Sequence, residues 1–200
     1  STPEKDALAY FPQGLYVQVS TVSDLYAIQS ENPVRVILEL NSQTKKSLID
    51  KKETLPFSKK QTFISLDPFC PQEIEKDLIS TIEYLVNDGF RYWVVNNPAH
   101  ISILKSLKAT CIAGPYLYAF NRWSASWLEN QDIDVFISPY ENSRQNLEAT
   151  FEKNQRSRVL VPIFAYPALF RMRFQLPSSY DFTFFSIMPV FRVLHADQTE

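Results

Sequence analysis

The feature that most constrains this chain is a repeated change of hydrophobic period. Short β-branched or aromatic runs alternate with longer segments whose apolar residues recur at helical spacing. Seven runs read as strands: 15–19, 35–40, 62–66, 92–95, 111–113, 135–137 and 159–164. Between them lie helical segments with readable ends. Ser20 or Thr21 caps a helix burying Val22, Leu25 and Ile28, and Asn32-Pro33 stops it. Pro71 suits a first helical turn ahead of the apolar face Ile74, Leu78, Ile82, Leu85 and Val86, which Gly89 ends. Shorter helices are expected over 98–107 and 121–131, and Ser143 caps one containing Leu147 and Phe151. The polar stretch 41–60 offers only Leu48, Ile49, Leu55 and Phe57 for burial, which predicts a weak helix inside a long connection.

Seven βα units exceed the five or six strands usual in a doubly wound sheet. They point to an α/β, TIM-barrel-like (β/α) barrel, incomplete or irregular at this length. The whole chain reads as one barrel-like domain: an N-terminal extension 1–13, βα units over 14–177 and a β tail over 178–200. In that tail 182–187 and 191–194 flank Met188-Pro189 too closely for a helical crossover, so a hairpin is expected.

Composition removes several function classes. Three glycines, Gly14, Gly89 and Gly114, cannot build a glycine-rich phosphate loop. Two cysteines, Cys70 and Cys111, cannot form a disulfide framework, a four-thiolate zinc site or a cysteine-only iron–sulfur site, and they suit a reducing cytoplasm. With no HExxH and no dense acidic loop, neither a metal nor a cofactor is expected. No apolar run reaches the roughly 20 residues of a membrane span, and there is no signal segment. Ser1 in place of a methionine is what a processed or excised chain would show. Lys45, Lys46, Lys51, Lys52, Lys59 and Lys60 are interrupted by Asp50 and Glu53 in a chain of net charge −2, so solvation rather than nucleic-acid binding is expected of them.

In a barrel the reactive face lies where strands end and loops toward the helices begin. Those positions carry Glu39 and Asn41, Asp67, Asn96 and Asn97, Tyr116, and Ser138 with Tyr140 and Glu141; Tyr166, Arg171 and Arg173 follow the last strand. His100 lies near this ring and could serve as a general base oriented by Glu39, Asp67 or Glu141. Asn121 and Tyr116 can orient a ligand by hydrogen bonds, although asparagine is also a good helix cap. Arg171 and Arg173 suit a carboxylate or phosphate. Cys70 reads as a buried inert thiol, with a pKa lowered by the dipole at a helix start as the alternative. Trp123 and Trp127, four apart, share one helix face against the barrel exterior or a neighbouring module.

AGPYLYAFN at 113–121, followed by Ser124-Ala125 and ISP at 137–139, resembles a stretch of the collagenase-like peptidases, peptidase family U32. NPAH at 97–100 and LDP at 66–68 resemble that family's steps in the same order, and GLYVQVSTVSDLYAI at 14–28 looks like the start of the barrel module in longer members. The resemblance implies a barrel that receives a peptide or protein substrate at its strand ends, with proteolysis a possible activity. If hydrolysis occurs, the strand-end ring and its surroundings, read by role and not by motif, offer Glu39, His100, Asn121 and Glu141 as catalytic candidates and Asp67, Asn97, Tyr116, Ser138, Arg171 and Arg173 as substrate-binding candidates. Two departures stand out. The cysteine-bearing segment of cluster-holding relatives has no counterpart at 161–177, and the family glutamate position falls on Tyr140, with Glu141 displaced by one. The alternative is a catalytically degenerate module that binds a partner domain or a second copy. RNA or small-molecule hydroxylation follows from kinship alone.

Overall fold

The computed structural model describes residues 10–166. The chain divides after Ala165 into two compact units, and the first carries the sheet and its helices. Seven parallel strands form one sheet in the order of the sequence: β1 (Tyr16–Val19), β2 (Arg35–Glu39), β3 (Thr62–Ser65), β4 (Tyr92–Val95), β5 (Thr110–Ala113), β6 (Phe136–Ile137) and β7 (Val159–Leu160). Every strand pairs with its sequence neighbours, as in a singly wound barrel, and the sheet curls into a half-barrel. The expected hairpin tail, Arg171 and Arg173 lie outside the described residues.

Helices α1 (Val22–Ala27), α2 (Ser42–Lys45), α3 (Gln72–Asn87), α4 (Ala99–Ser106), α5 (Arg122–Glu129) and α6 (Arg144–Thr150) fall in the connections. Their starts follow the capping chemistry. Thr21 accepts from the Asp24 amide at 3.1 Å, Asn121 from the Ser124 amide at 2.9 Å and Ser143 from the Asn146 amide at 3.2 Å. Gly89, at φ +110°, turns the chain after α3 where a side chain would be strained.

The period-2 alternation of the strands separates two apolar layers. Val36, Leu38, Ile64, Trp93, Val95, Cys111 and Phe136 face the helices. Ile37, Phe63, Val94, Ile112, Val135 and Ile137 face the other way and form the inner layer of the curl.

The stretch 41–60 holds the expected weak helix inside a long connection: α2 starts on a reciprocal Asn41–Thr44 capping box and runs without a break into a wider helical turn over Lys46–Asp50, closed by Lys51 N–H to Lys46 C=O at 3.0 Å. Two expectations need correction. The last strand stops at Leu160 instead of continuing to 164, and Val161, Ile163 and Phe164 are exposed. Ile74 sits in the first turn of α3 and is exposed, so the apolar face of that helix begins at Leu78. Within the N-terminal extension, Tyr10 and Phe11 belong to the inner layer.

Tyr10 stacks on Tyr92 with ring centroids 5.1 Å apart, its carbonyl accepts from Arg35 Nε at 3.1 Å, and its hydroxyl donates to Asp134, which also meets Arg158 at 3.3 Å. Arg35, Tyr92, Asp134 and Arg158 stand at or just before the starts of β2, β4, β6 and β7. One segment thus ties four strands together at their amino-terminal ends, the end of such folds that carries stability. The carboxyl-terminal end is left for the site.

Candidate functional site

The inward-facing row changes character at that end. Two residues beyond Tyr16, Ile37, Phe63 and Val94 come Gln18, Glu39, Ser65 and Asn96, so the alternation that builds the apolar inner layer also places a polar row above it. Glu39 and Ser65 are paired neighbours in the register of β2 and β3. Gln18 Nε2 donates to Glu39 Oε1 at 2.6 Å. Asn96 Nδ2 donates to the Leu66 carbonyl at 2.8 Å and reaches Ser65 Oγ at 3.3 Å, while its Oδ1 accepts from the Tyr116 amide at 3.4 Å. Asn96 and Ser65 are buried, Glu39 is half-buried and Gln18 is exposed, so the row grades from a fixed base to an accessible edge.

Around it the loops add smaller contacts. Tyr116 and Tyr140, from the loops after β5 and β6, meet edge to face at 6.0 Å. Asn97 donates to the Pro68 carbonyl at 3.0 Å and accepts from the Ala99 amide at 3.0 Å, tying the β3 and β4 loops together at the start of α4. Asp67 accepts from the Phe69 amide at 2.7 Å and is exposed. Ser138 is buried, with its hydroxyl 3.2 Å from the Pro139 carbonyl. Asn121 is occupied in the α5 capping box with Ser124, and Glu141 is exposed in the turn after β6.

A cleft of about 150 Å³ opens between α3 and α4, lined in part by Cys70, Glu75, Asn97 and His100. His100 is 1 % exposed, and neither ring nitrogen has a hydrogen-bond partner among the described residues. Burial lowers its pKa from the usual histidine range, against the opposing pull of Asp67 and Glu75. Burial also raises the Cys70 thiol pKa, and the Glu75 and Asp67 carboxylates add to this. The dipole-lowered alternative for Cys70 is therefore not what its surroundings produce: desolvation and two nearby full charges outweigh the partial charge of a helix end. Cys111, buried against the helices, is pushed up to about 11 by desolvation.

Of the expected site residues, Asn97 and His100 share the cleft, Glu39 stands in the polar row, and Tyr116 contributes its amide to Asn96. Gln18 and Ser65 were missed. The signal for them was present in the alternation, since each lies two residues beyond an inward aromatic, Tyr16 or Phe63. The basic connection is engaged in surface ion pairs, Lys45 with Asp77 at 2.6 Å and Lys59 with Asp88 at 2.7 Å. Trp123 and Trp127 on α5 are exposed. No helix among the described residues is long and apolar enough to cross a membrane. No family model matches the chain, and no curated protein matches it significantly.

Proposed function

We propose that this half-barrel is a binding module that takes a peptide or peptide-like ligand at the carboxyl-terminal ends of its strands. The observation that carries the reading is the polar row Gln18, Glu39, Ser65 and Asn96, delivered by four consecutive strands and fixed by its own hydrogen bonds. Amide, hydroxyl and carboxylate groups supply both the donors and the acceptors that the backbone of an extended chain presents. The Tyr116–Tyr140 pair adds aromatic surface beside the row. The resemblance of 113–121 to the collagenase-like peptidases supports a ligand of this class.

Binding is favoured over self-sufficient hydrolysis because the groups that would activate water are apart. His100 lies in the cleft between α3 and α4, Glu39 holds Gln18 in the row, Asn121 caps α5 and Glu141 stands in the turn after β6. Fluorescence anisotropy with a labelled unstructured peptide tests the reading. Saturable binding that weakens about fivefold or more in Glu39→Gln, with the peptide recovered intact by mass spectrometry, is the expected result. Absence of binding overturns the reading, and cleavage that survives purification replaces it with a peptidase.

A further inference from the structure

The first turn of α4 carries an imidazole whose polar atoms the closed packing leaves unused. Both ring nitrogens of His100 are buried, and neither has a hydrogen-bond partner among the described residues. A native interior pairs nearly all of its polar atoms, so this ring weakens the packing it completes.

Its position joins that weak point to the polar row. The His100 amide donates to the Asn97 carbonyl at 3.1 Å, in the turn where Asn97 Oδ1 accepts from the Ala99 amide at 3.0 Å. Pro98 gives α4 no side-chain cap, so Asn97 supplies the side-chain bond that secures its start. Asn97 Nδ2 also reaches the Pro68 carbonyl at 3.0 Å, while Asn96, next to it, holds the Leu66 carbonyl at 2.8 Å and meets Ser65 Oγ at 3.3 Å. The turn 97–100 therefore links the ring to the loop after β3 and to the fixed base of the row.

Protonation cannot be met in the closed packing. An imidazolium donates from both nitrogens, and neither donor faces an acceptor there among the described residues. To reach water the ring must part from α3, and the cleft of about 150 Å³ lined by Glu75, Asn97 and His100 marks where the two helices separate. The charges facing the ring favour the open, charged state: Glu75 comes from α3 and Asp67 from the loop after β3. The Cys70 thiol on the same loop is uncharged, because burial and those two carboxylates raise its pKa. Further along α4, Lys105 is paired with Asp132 at 2.9 Å.

We propose that protonation of His100 is a release switch for the site at the strand ends: the charged ring draws the first turn of α4 off α3, Asn97 leaves the Pro68 carbonyl, and the base of the polar row loosens its hold on the ligand. The inference rests on the proposed peptide binding. Burial holds the ring pKa below the usual histidine range against the pull of Asp67 and Glu75, so the closed state takes up the proton less readily than the open one. Binding is complete above about pH 6.5 and is lost as pH falls through the closed-state value, by at most about tenfold per pH unit for one proton.

The test is the affinity of the whole chain, by fluorescence anisotropy, for a labelled unstructured peptide with blocked ends and no group that titrates between pH 5 and 8. From pH 7.5 to pH 5 the affinity should fall about threefold or more in the parent and in His195→Gln, which removes the other histidine. His100→Leu should lose most of this dependence, and far-UV circular dichroism should stay constant throughout. Amide exchange reads the opening without a ligand. In the parent at pH 5.5, Ala99, His100 and Ile101 should exchange faster relative to their intrinsic rates than at pH 7.5, and the β2 amides should not. Identical binding profiles in the parent and His100→Leu, or exchange at the start of α4 that ignores pH, overturn the switch and leave the binding-module reading standing. Loss of the circular dichroism signal in step with affinity also overturns it, in favour of acid unfolding. A peptide that binds at no pH overturns the binding-module reading, and the release with it.

Discussion

Gly114 and Asn96 occupy one space: a Cβ built at Gly114 would overlap Asn96 Oδ1, and the backbone of Gly114, at φ −79°, is one any residue could adopt. The glycine is required by its neighbour and not by its own conformation. Asn96 cannot simply turn aside, because its Nδ2 is held by the Leu66 carbonyl and its Oδ1 takes the Tyr116 amide. Gly114→Ala should therefore cost about 1–3 kcal/mol of stability, the range for overpacking a buried site. In urea unfolding, Gly114→Ala combined with Asn96→Ala should cost clearly less than the sum of the two single changes. Strict additivity would show that the two side chains do not compete.

The Asn121 cap makes a separable claim. Removing the side chain that accepts from the Ser124 amide should cost about 0.5–2 kcal/mol, and Asn121→Asp should restore most of it, since both are good caps. Peptide affinity should be the same in Asn121→Ala as in the parent chain. A large loss of affinity with unchanged stability would make Asn121 a ligand-binding residue instead.

The seven strand positions and most helix caps were legible because they depend on local pattern: period 2 for Ile37 and Phe63, an oxygen-bearing residue ahead of an apolar repeat for Thr21 and Ser143. The polar row was half legible. Glu39 stood out as charged, whereas Ser65 and Gln18 carry no chemical signature of their own and gain meaning only from inward alternation beside Phe63 and Tyr16. The solitude of His100 was not legible at all. Burial of both ring nitrogens depends on how α3 meets α4, a long-range packing outcome that no spacing within 97–107 encodes. Tyr10 was hidden for the same reason, since its partners Tyr92 and Asp134 are more than eighty residues away.

Acid sensitivity follows from His100. Burial holds its folded pKa below the usual histidine value near 6.5, so the unfolded chain binds the proton more readily. Its contribution is fully present above about pH 6.5 and is lost as pH falls through the folded pKa. Asp67 and Glu75 face the ring and reduce the size of this effect without reversing it. Urea midpoints measured downward from pH 7 should fall more steeply in the parent chain than in His100→Leu, which also removes the unpaired nitrogens. Parallel pH profiles would count against a neutral, buried imidazole.

Alkaline sensitivity follows from Tyr16, whose ring packs against Phe11 at 5.0 Å and whose hydroxyl donates to the Pro12 carbonyl at 2.7 Å. Burial raises its pKa to about 12, with Arg35 pulling the other way. The folded chain therefore keeps the proton over a range in which the unfolded chain, with a tyrosine pKa near 10, has already released it. The resulting stability is complete below about pH 10 and is lost as pH rises toward 12. Tyr16→Phe separates the two contributions of this residue. At pH 8 it should cost about 0.5–1.5 kcal/mol for the lost hydrogen bond, and between pH 10 and 12 its stability should decline less than that of the parent chain. The comparison also bears on the amino-terminal segment. The Tyr16 bond holds the chain just after Tyr10 and Phe11, so a weakened anchor should speed amide exchange at Tyr92 and Arg35, the residues that Tyr10 contacts, while leaving exchange around Asn96 unchanged. Uniform acceleration across the sheet would instead mean that the amino-terminal segment and the strands open as one unit.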